Sequence, residues 1–141
     1  MRKLLAPVDG SSNSDRAVRH VIALAGLCPS MEVLLLNVQP EIDDLQVRRF
    51  MKKEELEAMG VSKGGDALRS ARALLDAAGL RYTPQVLIGP PAETIARVAL
   101  EQNCDGIVMG TRGLGAVAGI LLGSVTSRVV HLADMPVTLV K

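Results

Sequence analysis

The sequence predicts an α/β fold, a doubly wound parallel sheet of about five strands in the order 3-2-1-4-5 with helices on both faces. Two observations predict it, and a third sets the order. Short apolar runs and helical-period segments alternate five times along 141 residues, the pattern of βαβ units with right-handed crossovers. With one Tyr and one Phe, aliphatic residues must build the core, as suits a parallel sheet covered on both faces. The third run contains Pro84, which cannot donate to a ladder and so places that strand at a sheet edge.

Each element has its own reason. Residues 3–8 are a first apolar strand. The turn Asp9-Gly10-Ser11-Ser12-Asn13 follows, with Asn13 or Ser14 expected as a helix N-cap. Ala17, Val18, Val21, Ile22, Leu24 and Ala25 recur at helical spacing, and Pro29-Ser30 ends that helix. Residues 33–38 read as a second buried strand. Residues 40–65 hold Arg48, Arg49, Lys52, Lys53, Glu54, Glu55 and Glu57 among scattered apolar residues. They read as a solvated connection with a helical piece. Helical spacing becomes firm at Ala67, Leu68, Ala71, Leu74, Leu75 and Ala78, with Gly79 as a C′ glycine. Residues 81–88 are the third strand. Pro90-Pro91 opens a helix with Ala92, Ile95, Ala96, Val98 and Ala99 inward. A fourth strand over residues 105–109 leads into a glycine-rich loop. A last helix (Val125, Val129, Val130, Leu132, Ala133) and a final strand, residues 137–140, close the chain.

Composition narrows the function classes. The length suits a single domain over residues 1–141, with 48% hydrophobic residues and a formal net charge of +1, which excludes disorder. So balanced a charge leaves no electrostatic footprint for nucleic acid or an anionic membrane. One Tyr and one Phe give bases nothing to stack on. Cys28 and Cys104 lie far apart without a metal-ligand pattern, which suits a reducing cytoplasm. Asp9 cuts the first apolar run too early for a signal peptide. The longest apolar stretch, residues 116–122, is glycine-broken and too short to span a bilayer.

Chemistry concentrates in Gly110-Thr111-Arg112-Gly113, followed after nine residues by Gly123-Ser124. Strand, glycine-rich loop, then a helix opened by a hydroxyl residue presents backbone N–H groups to an anion. Glycine lets such a backbone approach a ligand closely. In the order 3-2-1-4-5 the chain reverses between strands one and four, and ligands bind outside the carboxyl ends there. Residues 9–13 and 110–123 are the loops that meet at that point. Topology and motif therefore predict the same place, a nucleotide-phosphate site.

At these residues the chain resembles the universal stress protein family. The resemblance runs from Leu4-Leu5-Ala6-Pro7-Val8-Asp9-Gly10-Ser11, through Leu35-Leu36-Asn37-Val38, to Met135-Pro136-Val137 and Val140. The family's ATP motif, G-x2-G-x9-G-(S/T), is matched by Gly110, Gly113, Gly123 and Ser124. The resemblance implies a Rossmann-like fold of the adenine nucleotide α-hydrolase-like kind. It implies that Gly110 and Gly113 let the loop pass under ribose and phosphates. Ser124, Val125 and Thr126 would offer donors at the helix N-terminus, and Asp9 would sit near the ribose or a phosphate-bound Mg2+. Pro7, Val38 and Met109 would wall the adenine, with the Val38 backbone reading its edge, and Val8 is expected among the cofactor-binding residues. Asn37 stands where relatives often carry a histidine. Read from the residues alone, Arg112, inside the loop, either neutralises phosphate charge or is a solvated surface arginine. A homodimer through the last strand is also implied, and residues 137–140 (Val-Thr-Leu-Val) lack the charges that guard an exposed edge.

The expected function is therefore a cytoplasmic ATP-binding regulator or sensor of stress, holding ATP, ADP or AMP and read by a protein partner. The alternative is a dimeric interaction protein of the same fold without nucleotide. No GxxxxGK lysine and no Ser–His–Asp spacing points to an enzyme, and slow ATP hydrolysis is the most that is expected. His20 and His131 fall within helices and read as structural or exposed. A dinucleotide fold would need G-x-G-x-x-G after strand one, where Asp9-Gly10-Ser11-Ser12-Asn13-Ser14 stands. A phosphoacceptor domain would need an aspartate closing strand three, where Ile88-Gly89-Pro90 stands.

Overall fold

The computed structural model describes residues 2–113, 118–119 and 121–141. Elements run β1 (Lys3–Pro7), α1 (Ser12–Leu27), β2 (Glu32–Gln39), α2 (Leu45–Phe50), α3 (Lys53–Ala77), β3 (Tyr82–Ile88), α4 (Pro91–Glu101), β4 (Gly106–Gly110), α5 (Ser124–Leu132) and β5 (Val137–Val140). The five strands form one sheet in the order β3-β2-β1-β4-β5, and every neighbouring pair is parallel. Pro84 does lie on an edge strand, paired with Leu35 on its one inner side.

Side chains alternate across the sheet, as strand geometry requires. Leu4, Ala6, Val33, Leu35 and Val108 pack with Ala17, Val18 and Val21 of α1 and Leu68, Ala71 and Leu75 of α3. Leu5, Leu34, Leu36, Ile107 and Met109 face the other way, onto Ala92, Ile95, Val98 and Ala99 of α4 and Val129 of α5. The start of β1 is pinned to the start of β4 because Arg2 and Lys3 donate their backbone amides to Asp105 Oδ2 at 2.7 and 2.8 Å. Those two hydrogen bonds hold the Asp105 carboxyl below its ordinary pKa.

Two expectations are corrected. Ser11, not Asn13 or Ser14, is the N-cap of α1. It is extended, and its Oγ accepts the Ser14 amide, which frees Asn13 and Ser14 for bonds elsewhere. Residues 40–65 are not mainly a loop, for α3 begins at Lys53 and runs 25 residues. Its buried stripe is Gly60, Gly64, Leu68, Ala71 and Leu75, so the inward face of its first half is made of glycine. Beyond these, strand ends shift by a residue or two. Gly79 is the expected C′ glycine, with φ +69°. Of the apolar stretch 116–122, Ala116, Val117 and Ile120 lie outside the described residues. No helix among the described residues is long and apolar enough to cross a membrane.

Candidate functional site

A cleft of about 540 Å³ opens at the carboxyl ends of β1, β2 and β4, and all twelve residues expected from sequence line it. Its volume is that of a small-molecule site. It falls at the reversal of strand order between β1 and β4, where open α/β sheets place ligands.

The end of β1 contributes Pro7, Val8 and Asp9. Asp9 is held in place by its own turn: Oδ1 accepts from the Ser11 amide at 2.9 Å and from Ser14 Oγ at 2.8 Å. The Asp9 amide in turn donates to Ser14 Oγ at 3.1 Å. A β-carbon at Gly113 would collide with Asp9 Oδ2, so the carboxylate and the glycine loop are in direct apposition. The end of β2 supplies Val38, Gln39 and, beneath them, Asn37. Asn37 is buried; its Nδ2 donates to the Val8 carbonyl and its Oδ1 accepts from Gln39 Nε2, both at 2.8 Å.

The loop after β4 brings Gly110, Arg112 and Gly113, behind Met109. Gly110 packs so tightly on the Asn13 amide that a β-carbon there would collide. Gly123 closes the loop by donating its amide to the Thr111 carbonyl at 2.7 Å, and it is the N-cap of α5. The first bond of α5 runs from the Ser127 amide to the Gly123 carbonyl. Gly123 has no side chain to cap the turn, so the amides of Ser124, Val125 and Thr126 are those a helix start leaves without intrahelical partners. The Thr126 hydroxyl is turned inward and donates to the Gly110 carbonyl at 3.0 Å. It ties α5 to β4, which leaves the Thr126 amide as its donor toward the cleft.

Gly110 and Gly113 are thus required by their packing on Asn13 and Asp9. Gly123 differs. Its φ of −69° is open to any residue, and a β-carbon would meet only ordinary contacts, Arg112 Cα at 3.5 Å and Thr111 O at 3.7 Å. Among the described residues no contact requires glycine there, beyond the modest preference of an N-cap for glycine over alanine.

Electrostatically the cleft is sparse. Among the described residues that line it, Asp9 is the one acid and Arg112 the one base. No group of three or more His, Cys, Asp or Glu among the described residues could hold a metal ion. The donor set therefore does not fit a metal caged by protein. It does fit Mg2+ carried by phosphates and touched by one carboxylate, the usual manner of that ion.

The cleft also includes Ser14, Leu36, Asn37, Gln39, Pro40, Pro91 and Ile95, none of which was singled out as a site residue from sequence. Gln39 and Pro40 follow from the strand order itself, since the end of β2 must flank that of β1. Pro91 and Ile95 belong to α4, and no local signal marks them.

Comparison with known proteins agrees with this architecture. The universal stress protein family model matches residues 1–141. The universal stress protein MJ0531 of Methanocaldococcus jannaschii is 31% identical over 140 residues, covering 99% of this chain and 82% of that one. The solved structure of MJ0577, from the same organism, is 31% identical with a TM-score of 0.86, covering 99% and 95% of the two chains. A universal stress protein solved in complex with cAMP is 25% identical with a TM-score of 0.72, covering 99% and 97%. With the family match spanning the whole chain, this protein belongs to the universal stress protein family.

Proposed function

We propose that this chain binds an adenine nucleotide in the cleft, ATP with Mg2+ foremost and ADP or AMP as its shortened forms, and acts as a nucleotide-dependent regulator of the stress response. The observation that carries the proposal is the start of α5: a first turn with no side-chain cap among the described residues, opened by a glycine whose β-carbon would meet only ordinary contacts with them. Its amides and partial positive charge suit phosphate. Arg112 adds the one cation among the described residues of the cleft, and Asp9 meets the ribose or a phosphate-bound Mg2+. Pro7, Val8, Val38 and Met109 form the apolar wall for the base. A family relative bound to cAMP supports the same class of ligand.

The protein would act in the cytoplasm as a homodimer joined through β5, with nucleotide occupancy altering a surface that a protein partner reads. The test is direct. Protein purified without added nucleotide is denatured and the released small molecules are identified, then emptied protein is titrated with ATP and Mg2+ by calorimetry. The expected result is a released adenine nucleotide or saturation well below millimolar ATP. No binding at millimolar concentration overturns the proposal in favour of a dimeric interaction protein whose glycines serve packing.

A further inference from the structure

Asn13 is a buried amide in the first turn of α1 that does not line the cleft. Its side chain joins two segments remote in sequence. Oδ1 accepts the backbone amide of Arg112 at 2.8 Å, 99 residues away. Nδ2 donates to the carbonyl of Val140 at 3.1 Å, 127 residues away. The same Val140 carbonyl accepts the Thr111 amide at 3.0 Å, and Gly110 lies hard against the Asn13 head. Gly110, Thr111 and Arg112 are thus all fixed against one point.

The chemistry of this point is specific. One end of the side chain must accept from an N–H and the other must donate to a C=O, so the partners dictate the orientation of the amide. Aspartate has no donor for Val140, serine has one group for two tasks, and alanine has none. We propose that Asn13 is the positioning residue of the phosphate loop: it sets the Gly110–Gly113 backbone against the end of β5 without touching the ligand. This inference rests on the nucleotide reading of the cleft. Loop preorganisation contributes to affinity by removing an ordering cost from binding. Removal of Asn13 should therefore weaken ligands that use the loop and spare those that use only the base wall.

The test compares wild type with Asn13→Ala in two measurements. In amide hydrogen exchange without nucleotide, the wild-type Arg112 amide should be protected although it lies in no helix or strand, and Asn13→Ala should release it. In calorimetry, Asn13→Ala should weaken ATP about tenfold, the equivalent of about 1.4 kcal/mol, while adenine, the base without its ribose, changes by less than about twofold. Equal losses for ATP and adenine, or an unchanged ATP affinity, overturn the inference. If Asn13→Ala does not fold, the wild-type exchange rate still decides, because an unprotected Arg112 amide means the clamp does not hold. Wild-type protein that binds no adenine nucleotide removes the nucleotide reading and this inference with it. Wild-type binding alongside unaltered binding by Asn13→Ala removes the inference alone.

Discussion

At the scale of single residues, the motif glycines divide by what each one is for. A β-carbon at Gly113 meets Asp9 Oδ2, so Gly113→Ala must displace either the loop or the carboxylate. A loss of about 1–3 kcal/mol of stability is expected, the usual range for overpacking, together with lost nucleotide affinity. Gly123→Ala meets only ordinary contacts at an unstrained φ of −69°. Its stability should fall by no more than about 1 kcal/mol, the cost of alanine in place of glycine at an N-cap. Its ATP affinity should still fall about tenfold, because the new methyl stands at the helix start where phosphate would lie. Thermal melts beside calorimetry separate the two effects. A Gly123→Ala protein that binds ATP as wild type does would remove the ligand from the explanation of that glycine. The cleft lining was legible in the sequence because Gly110, Gly113 and Gly123 stand between a strand and a helix and match the motif of the family resembled. Asn13 was not legible as more than a cap, since its two partners, Arg112 and Val140, are remote in the chain.

At the scale of elements, α3 shows where periodicity stops being informative. Hydrophobic spacing counts large apolar side chains, and the inward positions of the first half of α3 are Gly60 and Gly64. Those glycines bring the helix close over β3 and β2. A β-carbon at Gly60 would stand 2.8 Å from Ile88 Cδ1, and one at Gly64 would collide with Val86 and stand 3.0 Å from Asn37 Oδ1. The stripe is continuous in space but not in hydropathy, so the sequence reads there as a charged connection. The second half, with Leu68, Ala71 and Leu75 in place of glycine, was read correctly. A neighbouring pair of glycines tests this account. Gly65 has nothing within 4 Å of a β-carbon, so Gly65→Ala should stabilise the protein by about 0.5–1 kcal/mol through helix propensity alone. Gly64→Ala receives the same propensity gain, yet it should lose about 1–2 kcal/mol net through overpacking. Opposite shifts of the urea midpoint at adjacent positions are the expected result, and two stabilising shifts would mean that α3 does not pack closely on β3. Because Asn37 lies both under Gly64 and in the cleft wall, Gly64→Ala also bears on how α3 supports the site.

At the scale of the molecule, the sheet has two edges of opposite character. β3 carries Pro84, which lacks a donor, beside exposed Thr83, a blunted edge of the kind that resists pairing. β5 has no such guard. The carbonyls of Pro136 and Val140 turn inward to accept from the amides of Ile107 in β4 and Thr111 just after it. By the two-residue period of a strand, Val137 and Leu139 therefore turn their backbone groups outward. Exposed Val125 and Val130 of α5 add apolar surface on the helix that follows the glycine loop. A second copy pairing along β5 would satisfy the outward groups and extend the sheet across the dimer. The choice of substitution matters, because Leu139 and Val137 pack partly into the core beside Met109 and Ile107. A charge at either would damage the fold as well as the edge. Thr138 is exposed, so Thr138→Lys places a charge on the edge strand and spares the core. Sedimentation velocity should show wild type as a dimer and Thr138→Lys shifted to monomer at the same concentration, with the variant still folded by circular dichroism and its melting temperature no longer dependent on concentration. A Thr138→Lys protein that sediments as wild type does would move the interface away from β5. If the monomeric variant also binds ATP more weakly, the Val140 carbonyl gives the physical route, since it accepts from both Thr111 and Asn13 at the root of the glycine loop.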